Sequence, residues 1–143
     1  MQDRMINILL VEDDEVDVMN VKRAFKRNKI SNPLHVAPNG LEALKMLRGT
    51  EEQPSDIPAE RRLILLDLNM PKMGGIEFLQ VLRADPALKS TPVVVLTTSD
   101  QDQDRVEAYN LNVAGYILKP VNFMTFVELM AALNKYWALC ELP

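Results

Sequence analysis

Five short apolar runs recur along the chain: Ile6 to Val11, Leu34 to Ala37, Leu63 to Leu66, Val93 to Leu96 and Tyr116 to Leu118. Three of them are continuously apolar, as strands buried on both faces of a parallel sheet read. Between the runs, apolar residues return at helical spacing. Val18, Val21 and Phe25 mark a helix over 15–29, Leu41, Leu44 and Leu47 one over 40–48, and Ile76, Leu79 and Leu82 one over 75–84. A fourth, about 101–111, opens on Asp100, Asp102 and Asp104, whose charges suit a helix N-terminus. A fifth, about 122–139, carries Phe126, Met130, Leu133 and Trp137 on one stripe. Strand and helix thus alternate five times. With short right-handed crossovers, this (βα)5 order predicts an α/β fold built on a doubly wound, five-stranded parallel sheet. Residues 49–60, polar and twice interrupted by proline, break the rhythm and read as an exposed loop inserted between the second helix and the third strand.

Composition narrows the class. With 143 residues, 48% hydrophobic and 25% charged, the chain is long enough for one domain, 1–143, with a sizeable core. A net charge of −4 argues against a protein that grips nucleic-acid phosphate, so no direct DNA binding is expected. Cys140 is the single cysteine and His35 the single histidine, which nearly excludes zinc chemistry and points to a reducing, cytoplasmic compartment. His35 reads as a surface or packing residue on the second strand, Cys140 as packing, and the methionines as gap-fillers. The apolar runs fall far short of the roughly 18 residues that a membrane span needs. Nor do the first residues lead into a signal-peptide hydrophobic region.

In an open α/β sheet, ligands bind beyond the carboxyl ends of the strands. Those ends carry Glu12-Asp13 after the first strand, Asp67 after the third, Thr97-Thr98 after the fourth and Lys119-Pro120 after the fifth. Clustered carboxylates resist ionisation unless a cation compensates, and Mg2+ suits a few oxygen ligands together with water and phosphate. With Mg2+ and Lys119 neutralising charge, one carboxylate could attack a phosphoryl donor and form an acyl phosphate, while Thr97 hydrogen-bonds a phosphoryl oxygen. Taken alone, the run Glu12-Asp13-Asp14-Glu15 reads better as a solvated cap of the first helix than as a site. Its conjunction with Asp67, Thr97 and Lys119 favours a site.

Four ordered motifs carry a resemblance: Leu-Leu-Val-Glu-Asp-Asp-Glu (9–15), Leu-Leu-Asp-Leu-Asn-Met-Pro-Lys-Met-Gly-Gly (65–75), Val-Leu-Thr-Thr-Ser (95–99) and Gly-Tyr-Ile-Leu-Lys-Pro (115–120). Asp67 and Thr97 lie 30 residues apart, and Lys119 follows 22 later. The sequence resembles the two-component response-regulator receiver domain, the CheY-like family, over about residues 5–135, with residues from about 122–143 as a C-terminal helical arm. The resemblance implies a flavodoxin-like strand order, 2-1-3-4-5. It implies that Asp67 takes a phosphoryl group from a phosphohistidine on a sensor histidine kinase, making the protein a regulatory phosphoacceptor rather than an enzyme. Asp13 would hold Mg2+ directly and Glu12 through water, joined by Asp67 and the main-chain carbonyl of Asn69, while Asp14 starts the first helix. Lys119 would pair with Asp67 and then with the phosphoryl group, aimed by a cis peptide bond before Pro120. Switching would couple Thr97 to Tyr116 and alter the face formed by the fourth helix, fifth strand and fifth helix. Thr98 is bulkier than the family's usual Ala or Gly and is expected to hinder access. The uncharged Asn69 and Ser99 leave hydrolysis neither strongly assisted nor blocked.

The last helical segment is apolar around much of its circumference, more than one buried face requires. Leu129, Ala132, Tyr136 and Cys140 form a second stripe beside Phe126, Met130, Leu133 and Trp137. This ending, the 49–60 loop and the Leu-Thr-Thr-Ser motif resemble the small regulators paired with bacterial and cyanobacterial phytochromes. A phytochrome as the sensor kinase and a homodimer through residues of about 105–140 are the corresponding expectations. Competing readings are a phosphorelay shuttle that passes the phosphoryl group to a histidine phosphotransfer protein, a small-molecule phosphatase or phosphotransferase, and a pseudo-receiver. Position 69 is Asn, which removes the second acid an Asp-X-Asp phosphatase would need, and all five key residues are present, unlike a pseudo-receiver.

Overall fold

The computed structural model describes residues 5–50, 52–55, 57–68, 70, 73–97, 111–119 and 122–139. Five strands, β1 (Asn7–Val11), β2 (Leu34–Ala37), β3 (Arg62–Asp67), β4 (Val93–Thr97) and β5 (Gly115–Leu118), form one parallel sheet in the order β2-β1-β3-β4-β5. Four described helices accompany them: α1 (Glu15–Arg27), α2 (Gly40–Arg48), α3 (Gly75–Ala84) and a C-terminal helix (Phe123–Leu139). Sheet and order are those expected. The expected helix over about 101–111 lies outside the described residues except for Leu111, which stands in a turn, and the peptide bond before Pro120 lies outside them too.

Alternation along each strand explains the continuous apolar runs. Leu9, Val11, Ile64, Leu66, Val93 and Val95 point to one face, where they pack with α2 and α3 residues such as Leu44, Leu47, Phe78 and Leu82. Ile8, Leu10, Leu63, Leu65, Val94 and Leu96 point to the other, against Val21 and Phe25 of α1 and Phe126, Met130 and Trp137 of the C-terminal helix. Both faces are covered, so neither set of side chains can be polar.

The helix ends follow from local chemistry. Asp14 caps α1, its carboxylate accepting the Val16 and Asp17 N–H groups at 2.8 and 3.3 Å. The helix stops at Arg27, two residues short of the periodicity, because Lys29 adopts φ 57° and turns the chain into β2. Asn39 caps α2 by accepting the Glu42 N–H at 2.9 Å, and Gly49 ends it at φ 63°.

The 49–60 segment corrects one expectation. It is not simply exposed: Ile57 is buried among α2, α3 and sheet residues. Buried Arg62, the first residue of β3, donates to the carbonyls of Pro58 at 2.7 Å, Ile57 at 2.8 Å and Leu47 at 3.1 Å. Ser55 Oγ donates to the Met46 carbonyl and accepts the Ile57 N–H at 3.1 Å. Composition marks the segment as polar, but one isoleucine and one arginine suffice to anchor it. Arg83 acts similarly between α3 and the chain around β4 and β5, donating to the carbonyls of Leu111, Thr91, Lys89 and Asn112 at 2.7–3.0 Å. Burial lowers the pKa of both guanidinium groups from the ordinary arginine value.

Candidate functional site

Parallel register brings the chemistry to one edge. Val11 lies opposite Leu66, so the residues that follow them, Glu12 just after β1 and Asp67 at the end of β3, emerge side by side. Asp67 is in turn opposite Leu96, and Thr97 opposite Leu118, the residue before Lys119. The switch point of the strand order lies between β1 and β3, where the first connection leaves to one side and the rest of the sheet is built on the other.

Three carboxylates meet there. Glu12, Asp13 and Asp67 each offer an oxygen, all within 4.8 Å of one another. Glu12 is 2% and Asp67 7% exposed, whereas Asp13 is open to solvent. Lys119 Nζ donates to Glu12 Oε1 and, at 3.0 Å, to Asp17 Oδ2. Burial is the largest influence on Glu12 and, with the Asp67 carboxyl hydrogen-bonded beside it, outweighs Lys119 to raise its pKa from 4.5 to about 7. Burial of Lys119 works to lower its pKa, but the Glu12 hydrogen bond, the nearby Asp67 charge and Asp17 prevail and hold the ammonium above its ordinary value.

Local packing fixes Asp67. Backbone runs close beneath it, since a Cβ on Gly75 would come 2.6 Å from Leu68 Cα and 2.8 Å from the Asp67 carbonyl oxygen. Only glycine lets α3 begin so near the end of β3. The Gly75 N–H donates to the Leu68 carbonyl at 3.0 Å and secures that approach.

Glu12, Asp13, Asp67 and Lys119 therefore come together as the strand ends suggested. The backbones of Thr97 and Tyr116 stand at the same end of β4 and within β5, but the positions of their side chains lie outside what is described. Asn69, Thr98, Ser99 and Pro120 also lie outside the described residues. Asp14 caps the helix, which leaves the solvated-cap reading of the acidic run true for that residue alone. Asp17 is the participant sequence reasoning missed. In the sequence it looks like one more acidic residue in the first turn of a helix, and nothing local marks it as a partner of Lys119, just past β5.

The donor set suits a divalent cation. All its ligands are hard carboxylate oxygens, two of them buried, and a carboxyl whose pKa burial raises is one whose ionised form a cation would favour. Neither cysteine nor histidine is among them, which disfavours the softer metals.

Sheet order, acidic edge and buried lysine define a receiver domain. Residues 8–133 match the response regulator receiver domain family, and the chain belongs to it. It is 36% identical to response regulator Rcp1 of the cyanobacterium Synechocystis over 91% of this chain and 87% of that one. The Mn2+-bound crystal structure of Rcp1 superposes with a TM-score of 0.82 over 96% and 99% of the two chains. The phosphorylated cyanobacterial phytochrome response regulator RcpA is 33% identical and superposes with a TM-score of 0.83, covering 97% of this chain and 99% of that one. A probable methanogenesis regulatory protein, FilR2 of Methanothrix harundinacea, is 37% identical over 91% and 82% of the two chains. The protein is thus a two-component response regulator receiver that resembles the phytochrome regulators. No described helix is long and apolar enough to cross a membrane.

Proposed function

We propose that Asp67 is the phosphoacceptor of a single-domain response regulator, 1–143, phosphorylated by a sensor histidine kinase. The observation that carries this reading is the convergence of Glu12, Asp13 and Asp67 with the nearly buried Lys119 ammonium at the switch point of the sheet. An Asp67 carboxylate oxygen attacks phosphorus, the P–N bond of the kinase phosphohistidine breaks, and its electron pair returns to the imidazole. The product is an acyl phosphate. Glu12, Asp13, Asp67 and the Asn69 carbonyl are the groups that would hold Mg2+, which when bound supplies positive charge against the carboxylates and the phosphoryl oxygens. Lys119 supplies one further positive charge to the same oxygens, Thr97 a hydroxyl donor, and Tyr116 the ring that follows it in switching. The likeness to RcpA and Rcp1 favours a phytochrome as the kinase and a cytoplasmic setting.

Output then lies on the surface around β5 and the C-terminal helix. Leu118, Met124, Tyr136 and Leu139 are all large, apolar and exposed there, Leu139 to 88%. Such a face supports homodimerisation through that helix. The central test is incubation with acetyl phosphate and Mg2+, followed by intact mass. The wild type is expected to gain one phosphoryl group and Asp67→Asn none; equal labelling of the two would refute the assignment.

A further inference from the structure

We propose that Asp17 is a positioning residue that holds Lys119 in reserve and so sets how readily the ammonium is given up to a phosphoryl group on Asp67. The inference rests on the phosphoacceptor reading above. Its structural root is that α1 and the C-terminal helix share one face of the sheet. Asn28 Nδ2, just past the end of α1, donates to the Val127 carbonyl at 2.9 Å, and the Arg23 guanidinium lies 5.5 Å over the Phe123 ring. With the two helices so packed, Lys119, the residue after β5, lies alongside the first turn of α1, where Asp17 stands.

Lys119 is 9% exposed, and its ammonium has three donors. One goes to Glu12 and one, at 3.0 Å, to Asp17. Glu12 belongs to the group of three carboxylates, whereas Asp17 stands outside it. Asp17 is not needed as a cap either, because Asp14 already accepts the Val16 and Asp17 N–H groups. Its carboxylate is therefore an extra anion committed to the lysine. A phosphoryl group on Asp67 draws on the same single positive charge and must pull the ammonium away from Asp17, so the charge on Asp17 favours the unphosphorylated arrangement. Asp17 is one-third exposed, which limits the strength of the hold.

The test uses beryllofluoride, a phosphoryl mimic, titrated at saturating Mg2+ and followed by fluorine NMR. Asp17→Asn keeps the shape and one acceptor but removes the charge, and is expected to bind roughly fivefold more tightly than the wild type. Asp17→Glu, which keeps the charge, should stay near the wild type. In a Lys119→Met background the Asp17→Asn gain should vanish, which separates action through the lysine from a general loss of negative charge. Equal or weaker binding by Asp17→Asn, or an undiminished gain without Lys119, overturns the inference. Wild type that binds no beryllofluoride, or Asp67→Asn that binds it equally well, overturns the phosphoacceptor reading and this inference with it.

Discussion

At Glu12 the ionisation of one buried residue bears both on stability and on the proposed metal site. Its pKa lies at about 7 in the folded chain against 4.5 ordinarily. Between those values the folded state binds more protons than the unfolded one, so stability falls as pH rises across the window. The metal-free protein is expected to lose on the order of 1–3 kcal/mol between about pH 4.5 and 7, and Glu12→Gln to show little of that slope in urea denaturation. Holding a divalent cation requires the ionised form. Mg2+ affinity measured by calorimetry should therefore climb as pH approaches about 7 and level off above it. An affinity that is flat across this range would contradict the burial argument.

Among the elements, the 49–60 connection shows most plainly what one side chain can organise. Arg62 begins β3 and satisfies carbonyls of Leu47, Ile57 and Pro58, so α2, the loop and the sheet share one guanidinium. Arg62→Met keeps much of the apolar stem but strips these carbonyls of their donor in a buried place. A loss of about 2–4 kcal/mol is expected from chemical denaturation. Arg62→Lys should recover only part of it, because a single ammonium cannot reproduce the planar fork. Amide exchange should then quicken around Ile57 before it changes in β1. That order follows because β1 is hydrogen-bonded on both sides, to β2 and β3, whereas the loop hangs on the arginine.

For the whole molecule, receiving a signal is the role proposed for the acidic edge, and sending it the role proposed for the apolar C-terminal face. Tyr136 and Leu139 are 60% and 88% exposed on the C-terminal helix, whose buried side carries Met130 and Trp137, so charge can be placed there without entering the core. Leu139→Asp combined with Tyr136→Glu should leave folding and Asp67 phosphorylation intact while converting a dimer to a monomer at tens of micromolar, by light scattering with and without beryllofluoride. A wild type that is monomeric under both conditions would remove the dimer from the scheme and leave the phosphoacceptor chemistry untouched.

Much of this was legible in the residues themselves. Continuous apolar runs such as Leu63 to Leu66 reported strands covered on both faces, and Glu12-Asp13, Asp67 and Lys119 sat at strand ends, where an open parallel sheet collects its chemistry. Periodicity reports the surroundings of one element at a time, which is why it found each strand and each described helix to within two residues. Contacts between elements depend on sheet order, register and the face each helix takes, and these belong to the folded chain. Ile57 could not be told from a loop residue until α2, α3 and the sheet closed over it. Asp17 could not be told from an ordinary first-turn aspartate until α1 and the C-terminal helix met on one face and brought Lys119 within hydrogen-bond distance. The sequence by itself determined the elements and the kind of chemistry at their ends. The tertiary structure alone decided which carboxylates share the lysine, because that choice is made by residues 102 positions apart in the chain.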